Sequence, residues 1–162
     1  MRLALAKLAW IGGVFLIAHA ALAQQPQATS PKMAQLQTQL TGLALRVAKE
    51  HYGVTLDFSH QSVRDVERIL GAIHNDYEKT KSEEGLRGLA AEFGAYIITV
   101  IEKNTERGVW EADHPTLGPG TFPFHWKGTT IFPFGWCLKR VFDGDSDNVW
   151  VKYQAFVLKG IK

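Results

Sequence analysis

Cysteine is nearly absent from the sequence: Cys137 is the only one among 162 residues. A single thiol cannot form a disulfide within its own chain, which excludes the disulfide-stapled scaffolds common among small exported domains. Stability must therefore come from packing. A free cysteine is commonly a small buried hydrophobe, and this is our interpretation of Cys137. A catalytic thiolate and a disulfide to another chain are the alternatives.

A hydrophobic run long enough to cross a membrane is also missing, although the N-terminus is apolar. Arg2 and Lys7 precede an apolar core, and "ALA" at 21–23 is a small-residue cleavage site before Gln24, the pattern of a secretion signal. The run is shorter than the roughly 20 residues of a transmembrane helix. We therefore expect cleavage after Ala23 and a periplasmic or secreted, soluble protein without a stable membrane anchor.

The chain lacks a charge surplus once residues 1–23 are set aside. Removing Arg2 and Lys7 from its 18 basic residues leaves 16, against 16 acidic ones. A neutral chain has no electrostatic reason to bind nucleic acid or anionic lipid. Its length suits one domain with its own core. We assign residues 24–30 to a flexible lead and 31–162 to this domain.

Fingerprints of common chemistries are missing as well. The sequence has no Gly-x-Ser-x-Gly, P-loop or dinucleotide motif, and no two histidines stand three or four residues apart as in helical metal sites. Asp143, Asp145 and Asp147 alternate like the carboxylates of a calcium loop, but Asn148 and Gln154 stand where such a loop needs Gly and Glu. We interpret this run as a turn and predict neither a metal nor another cofactor.

Helical periodicity dominates the first two thirds of the domain. Apolar residues recur at three- and four-residue spacing in three stretches, which predicts three helices. The first runs over 31–52, with Ser30 as its cap and Gly53 as its stop. The second follows Ser62, a candidate cap, and ends near residue 79.

The third helix follows Ser82, another candidate cap, and ends at Asn104. Two glycines, Gly88 and Gly94, lie in its interior, where each costs about 1 kcal/mol relative to Ala. Such a cost indicates that another backbone passes close to this helix.

Beyond Gly108 the aromatic and β-branched content rises and the period shortens, which predicts strands. The first covers 109–113. Lys127 and Gly128 are typical of a two-residue hairpin turn. Such a turn places three pairs of residues opposite each other, and these are Trp126 with Thr129, Phe124 with Ile131, and Phe122 with Pro133.

A Phe-Pro-Phe-x-Trp block appears twice, at 122–126 and 132–136. Aromatics at strand spacing are usually core, so we interpret the first copy as core rather than as a binding platform. The second copy enters a short helix that carries the exposed pair Lys139 and Arg140. Residues 149–158 could form a strand or a helix.

These patterns predict an α+β fold. About three N-terminal helices pack on a small antiparallel, aromatic-rich sheet, and a short helical segment lies near the C-terminus. The leading functional hypothesis is a non-catalytic interaction module that binds or inhibits another envelope protein. The residues proposed for this contact offer aromatic area or charge, and they are Trp110, His114, His125, Lys139 and Arg140, with Asp143 and Asp145 at the rim.

Two other functions remain open at this point. A small envelope hydrolase would use the loop that carries Glu111, Asp113 and His114 for acid–base chemistry, or Cys137 beside a histidine. A small-ligand or glycan-binding protein would use an exposed aromatic, Trp126 or Phe134, as a stacking surface.

The chain also resembles an uncharacterised family of small bacterial domains. The resemblance rests on "LDFSHQSVRDVERIL" (56–70), "FGAYIITVIEKN" (93–104), "GVWE" (108–111) and "FPFGWCLKRVFDGDSDNVWVKYQ" (132–154). It implies an α+β fold and a bacterial source. Because this family has no assigned activity, the resemblance implies no catalytic residue.

Overall fold

The computed structural model of the protein describes residues 28–161. The predicted signal peptide at 1–23 and the first part of the predicted lead, 24–27, lie outside these residues. The helices in the described range are α1 (Pro31–Tyr52), α2 (Ser62–Thr80), α3 (Leu86–Asn104), α4 (Pro133–Asp143) and α5 (Val149–Tyr153). The strands are β1 (Val109–Trp110), β2 (Phe124–Trp126) and β3 (Thr129–Ile131). The predicted α+β class is confirmed.

Short helical turns complete the C-terminal part. A 3₁₀ turn at Gly144–Asp147 precedes α5, and a π-helical turn at Gln154–Leu158 and a 3₁₀ turn at Lys159–Ile161 follow it. The stretch 149–158, which pattern alone left open, is therefore helical. Across residues 28–161, no helix combines the length and the hydropathy that a membrane crossing requires.

The predicted ends of α1 are confirmed. Ser30 is its N-cap and accepts a hydrogen bond from the Met33 N–H, and Pro31 occupies the first helical position. Gly53 closes the helix in the left-handed conformation, with φ of 66°. Just before the cap, the Thr29 hydroxyl accepts the Trp110 N–H at 2.9 Å, so the described end of the lead is held against β1.

The predicted cap of α2 was wrong. Ser62 lies inside the helix, and its N-cap is Gln61, which makes no side-chain capping bond. The Ser62 hydroxyl instead donates to the Ser59 carbonyl at 2.7 Å and lies 2.6 Å from the Tyr96 hydroxyl on α3. A buried hydroxyl needs partners, and here one comes from the turn before α2 and the other from α3.

The predicted cap of α3 was also wrong. This helix begins at Leu86 after Gly85, a left-handed residue with φ of 75°, and Ser82 lies in the preceding turn. Ser82 accepts a hydrogen bond from the Glu84 N–H within that turn. The predicted C-terminal end at Asn104 is confirmed.

Helix α3 is the centre of the packing: it contacts α4 and α1 most extensively, while α2 packs on α4 and α5. Gly94 allows the approach of α4, because a Cβ atom there would lie 2.8 Å from the Phe134 Cα and 2.9 Å from its N. A Cβ at Gly88 would have no neighbour within 4 Å. The predicted close backbone is therefore confirmed at Gly94, and the prediction was wrong at Gly88.

The sheet has the order β1-β2-β3 and is antiparallel. Lys127 and Gly128 have φ of 48° and 72°, as a type I′ hairpin turn requires. Two of the predicted pairs are confirmed, Trp126 with Thr129 and Phe124 with Ile131.

The third predicted pair, Phe122 with Pro133, was wrong. Phe122 has φ of 50° and donates its N–H to the Ala112 carbonyl at 3.1 Å, while Pro133 opens α4. The first strand is also shorter than the predicted 109–113. Both prolines of the doubled block thus lie at element boundaries, where a missing N–H is tolerated.

The aromatic hairpin is part of the core. Phe124 is fully buried, and Trp126 and Ile131 are each 3 % exposed. The interpretation of the first Phe-Pro-Phe-x-Trp copy as core is confirmed. Cys137 is also fully buried, which confirms its interpretation as a core residue.

The two glycines of α3 provide a matched test of this packing. We expect Gly94→Ala to lower the free energy of unfolding by about 1–3 kcal/mol, because the added methyl group overlaps the α4 backbone. Gly88→Ala should instead raise it by up to about 1 kcal/mol, since only helix propensity changes. Urea unfolding measures both. Equal effects of the two substitutions would contradict the close approach.

Candidate functional site

The predicted exposed pair on α4 is split between solvent and core. The Lys139 side chain is 64 % exposed, but Arg140 is only 5 % exposed. The Arg140 Nε donates to Glu67 Oε1 at 2.6 Å and its Nη2 to Asp145 Oδ1 at 2.7 Å. Gly71 on α2 makes room for the guanidinium, because a Cβ there would lie 2.7 Å from Nη2. The prediction that Arg140 is exposed was wrong.

Glu67 is the other half of this buried junction. Its second carboxylate oxygen accepts the Val149 N–H at 2.7 Å. One carboxylate therefore joins α2 to α4 and to the first residue of α5. Removing either member of such a pair leaves a buried charge uncompensated.

Three aromatic residues from the sequence hypotheses do not offer free surface. Trp110 is 2 % exposed and packs against Phe122, with ring centroids 5.7 Å apart. Trp126 and Phe134, the proposed stacking surfaces for a glycan, are buried as well. The prediction of these two as exposed residues was wrong, because both side chains fill the core between the hairpin and the helices.

His125 is engaged on both ring nitrogens. Its Nε2 lies 3.1 Å from Glu111 Oε2, and its Nδ1 lies 2.8 Å from Thr130 Oγ1. The Glu111 side chain is 43 % exposed, so water screens this pair and it adds little stability. Thr130 lies on β3, and Glu111 directly follows β1.

The loop proposed for acid–base chemistry is not assembled into one cluster. His114 Nδ1 accepts the N–H groups of Thr116 and Leu117, and Asp113 Oδ1 accepts the Gly120 N–H at 2.8 Å. Glu111 turns to His125 instead. Within residues 28–161, no hydrogen bond or ion pair joins His114 to either carboxylate.

The thiol of Cys137 is in an unreactive environment. Burial raises its pKa, and the negative charge of Glu67 raises it further. Since the thiolate is the nucleophile, this environment disfavours the catalytic alternative.

The acidic run 143–147 is bound by the chain's own cations. Asp145 pairs with Arg140, although its side chain is 93 % exposed. The hydrogen bond from Lys152 holds the pKa of the Asp147 carboxyl below its usual value, and Lys139 lies near both Asp143 and Asp147. In the described part of the chain, no group of three or more His, Cys, Asp or Glu residues is arranged to hold a metal.

A groove that the sequence did not indicate lies between the start of α2 and α5. It has a volume of about 450 Å³. Its lining combines one aromatic ring with charged and amide side chains, and consists of Gln61, Arg64, Asp65, Glu67, Arg68, Asn148 and Trp150. We call it the Trp150 groove.

The Trp150 ring contacts two side chains of the protein. The Arg64 guanidinium lies 5.5 Å from its centroid, and Tyr153 stacks on it with centroids 5.9 Å apart and an interplanar angle of 16°. Tyr153 is fully buried, and its hydroxyl lies 2.5 Å from His60 Nδ1. Burial raises the pKa of this phenol, so it remains neutral. The ring of Trp150 is therefore fixed by the core.

Charge in the groove is unevenly compensated. Arg68 pairs with Asp65 at 2.6 Å, and Glu67 is paired with Arg140. Arg64 has no ion-pair partner within the described residues. Because Asp145 also binds Arg140, the groove and its immediate ion pairs contain three arginines and three carboxylates. Among these arginines, Arg64, which lies over the Trp150 ring, is the one without an ion-pair partner in the described part of the chain.

Two other grooves lie along α1. One, between α1 and α3, has no aromatic lining, and its Gln37 amide is bonded to Glu102 at 2.8 Å and to Thr99 at 3.2 Å. The other lies between the start of α1 and β1, and its lining includes Trp110, whose buried indole N–H has no hydrogen-bond partner within residues 28–161. The Trp150 groove is the smallest of the three, and it is the one in which an arginine without an ion-pair partner among the described residues lies over an aromatic ring.

Comparison with models of protein families, with curated proteins and with solved structures finds no match for this chain. Function is therefore argued from the geometry of the Trp150 groove and of the groups around it.

The Glu67–Arg140 junction should dominate stability in this region. We expect Arg140→Met to lower the free energy of unfolding by about 3–5 kcal/mol, because Glu67 remains buried without its counter-ion. The double variant Glu67→Leu with Arg140→Met should recover part of this loss, because it removes the unpaired charge but leaves the Val149 N–H without its acceptor. Arg68→Ala, which removes an exposed pair, is the control and should cost less than about 1 kcal/mol. A loss for Arg140→Met no larger than the control would refute the junction's role.

The burial of Cys137 predicts slow thiol labelling. In the folded protein, reaction with a chromogenic disulfide reagent should be far slower than after unfolding in guanidinium, because the thiol is enclosed and protonated. A Cys137→Ala variant that carries Ser146→Cys provides an exposed thiol for comparison and should react fast. Rapid labelling of native Cys137 would revive the reactive-thiol alternative.

Proposed function

We propose that the mature chain is a non-catalytic interaction module of the bacterial envelope that binds another envelope protein through the Trp150 groove. The observation that carries the proposal is the fixed, partly exposed Trp150 ring with the unpaired Arg64 guanidinium over it. Tryptophan and arginine are the residues most enriched at the energetic centres of protein interfaces.

Preorganisation supports this function. A side chain that is already fixed before binding loses little entropy when it contacts a partner. Trp150 is held by Tyr153, and Tyr153 is held by its burial and by His60. The groove therefore offers a rigid aromatic surface for a partner's side chain.

The state of the candidate catalytic groups also favours binding over hydrolysis. His125 uses both ring nitrogens within the protein, His114 accepts from its own loop, and Cys137 is enclosed. A hydrolase needs a base within reach of a nucleophile in an accessible cleft. The groups proposed for that role are separated from one another.

Site-specific photo-crosslinking in the encoding bacterium tests the proposal. A benzophenone amino acid at position 61, which is exposed and lines the groove, should give a crosslinked product of one discrete mass. The same amino acid at Arg87, an exposed position on α3, should not. Adding Trp150→Ala should abolish the product, whereas Phe156→Ala, which removes an exposed ring outside the groove lining, should preserve it.

Equal products from positions 61 and 87, or a product that survives Trp150→Ala, would contradict binding at the groove. Export is tested separately by the mass of the chain isolated from the same cells. This mass should correspond to a chain that begins at Gln24. An unprocessed chain would contradict the envelope location but not the groove.

A further inference from the structure

We propose that the Trp150 groove recognises an acidic segment of its partner protein, with a carboxylate on Arg64 and a neighbouring apolar side chain against the Trp150 ring. This inference rests on the proposed function and names the chemistry of its ligand. It follows from which hydrogen-bonding groups of the lining are still free.

Both carboxylates of the groove are paired with an arginine. Asp65 accepts from Arg68 at 2.6 Å. Glu67 uses one oxygen for Arg140 and the other for the Val149 N–H. A ligand that approaches with positive charge or with N–H donors finds these carboxylates occupied.

The donors of the groove are largely free. The Asn148 amide oxygen accepts the Val151 N–H at 2.9 Å, which fixes its orientation and leaves its NH₂ group as a donor. The Gln61 side chain makes no capping bond to α2. Arg64 has five N–H donors, and its guanidinium contacts the Trp150 ring face. Among the described residues of the lining, the charged side chain without an ion-pair partner is therefore a cation, which matches an anionic ligand.

Arg64 is suited to a carboxylate in particular. A guanidinium that stacks on an aromatic ring keeps its N–H groups in its own plane, where they can donate two parallel bonds to one carboxylate. Arg68 makes a single contact with Asp65 within the chain, from Nη2 to Oδ1, so Arg64 is the arginine of the groove left for a partner. The adjacent Trp150 ring supplies apolar area that a free small anion would not use, which favours an acidic side chain within a polypeptide.

Selection from a random peptide library displayed on phage tests this inference. Peptides selected on the wild-type protein should be enriched in Asp and Glu, and the corresponding synthetic peptides should bind Arg64→Ala at least about tenfold more weakly. Arg87→Ala removes an exposed arginine outside the groove and should leave binding unchanged. Replacing the key Asp or Glu of the peptide by Asn or Gln should weaken binding to the wild type but not to Arg64→Ala.

The other outcomes overturn specific parts. Selected peptides without acidic residues that still require Trp150 would overturn the carboxylate and leave the proposed function standing. Peptides indifferent to both Arg64→Ala and Trp150→Ala, or no selected peptide, would count against the groove as a protein-binding site. Arg64-dependent binding of oligogalacturonate, without binding of any peptide, would show that the carboxylate ligand is an acidic sugar rather than a protein segment. If the wild-type protein forms a dimer that dissociates in the Arg64→Ala variant, the partner is a second copy of the same chain.

Discussion

The buried carboxylate of Glu67 joins three helices. Its two oxygens bind Arg140 on α4 and the first N–H of α5, so a single group on α2 sets the positions of both later helices. Burial of this charge is tolerated only because each oxygen has a close partner. Gly71 is part of the same arrangement, since any side chain there would displace the guanidinium.

The groove is a consequence of that junction. With the start of α5 fixed by Glu67, Trp150 and Tyr153 follow on the next turn, one facing the groove and the other the core. His60, just before α2, bonds to Tyr153. Next to these contacts, Tyr96 on α3 bonds to Ser62 on α2, and Gly94 on α3 admits α4. A surface aromatic is thus positioned by contacts that are mostly internal.

Features that depend on local sequence could be predicted, whereas features that depend on tertiary contacts could not. The ends of α1 and the hairpin turn depend on Ser30, Gly53, Lys127 and Gly128, whose conformational preferences act within a few residues, and these predictions were right. Arg140 could not be assigned from its neighbours, because its burial depends on Glu67 and on the space at Gly71, both remote in sequence. The groove was missed for the same reason: Arg64 and Trp150 meet only after α2 and α5 have packed.

The hydrogen-bond inventory distinguishes a binding surface from a reactive one. A catalytic group must keep a lone pair or a proton available to substrate, whereas the histidines and carboxylates of residues 111–125 bond to one another or to their own backbone. Around Trp150 both carboxylates are paired, and Arg64 is the charged side chain left without an ion-pair partner among the described residues of the groove. An unpaired cation has no reaction to perform by itself, but it can bind an incoming carboxylate. This difference between the two regions is what supports the proposal of recognition rather than catalysis.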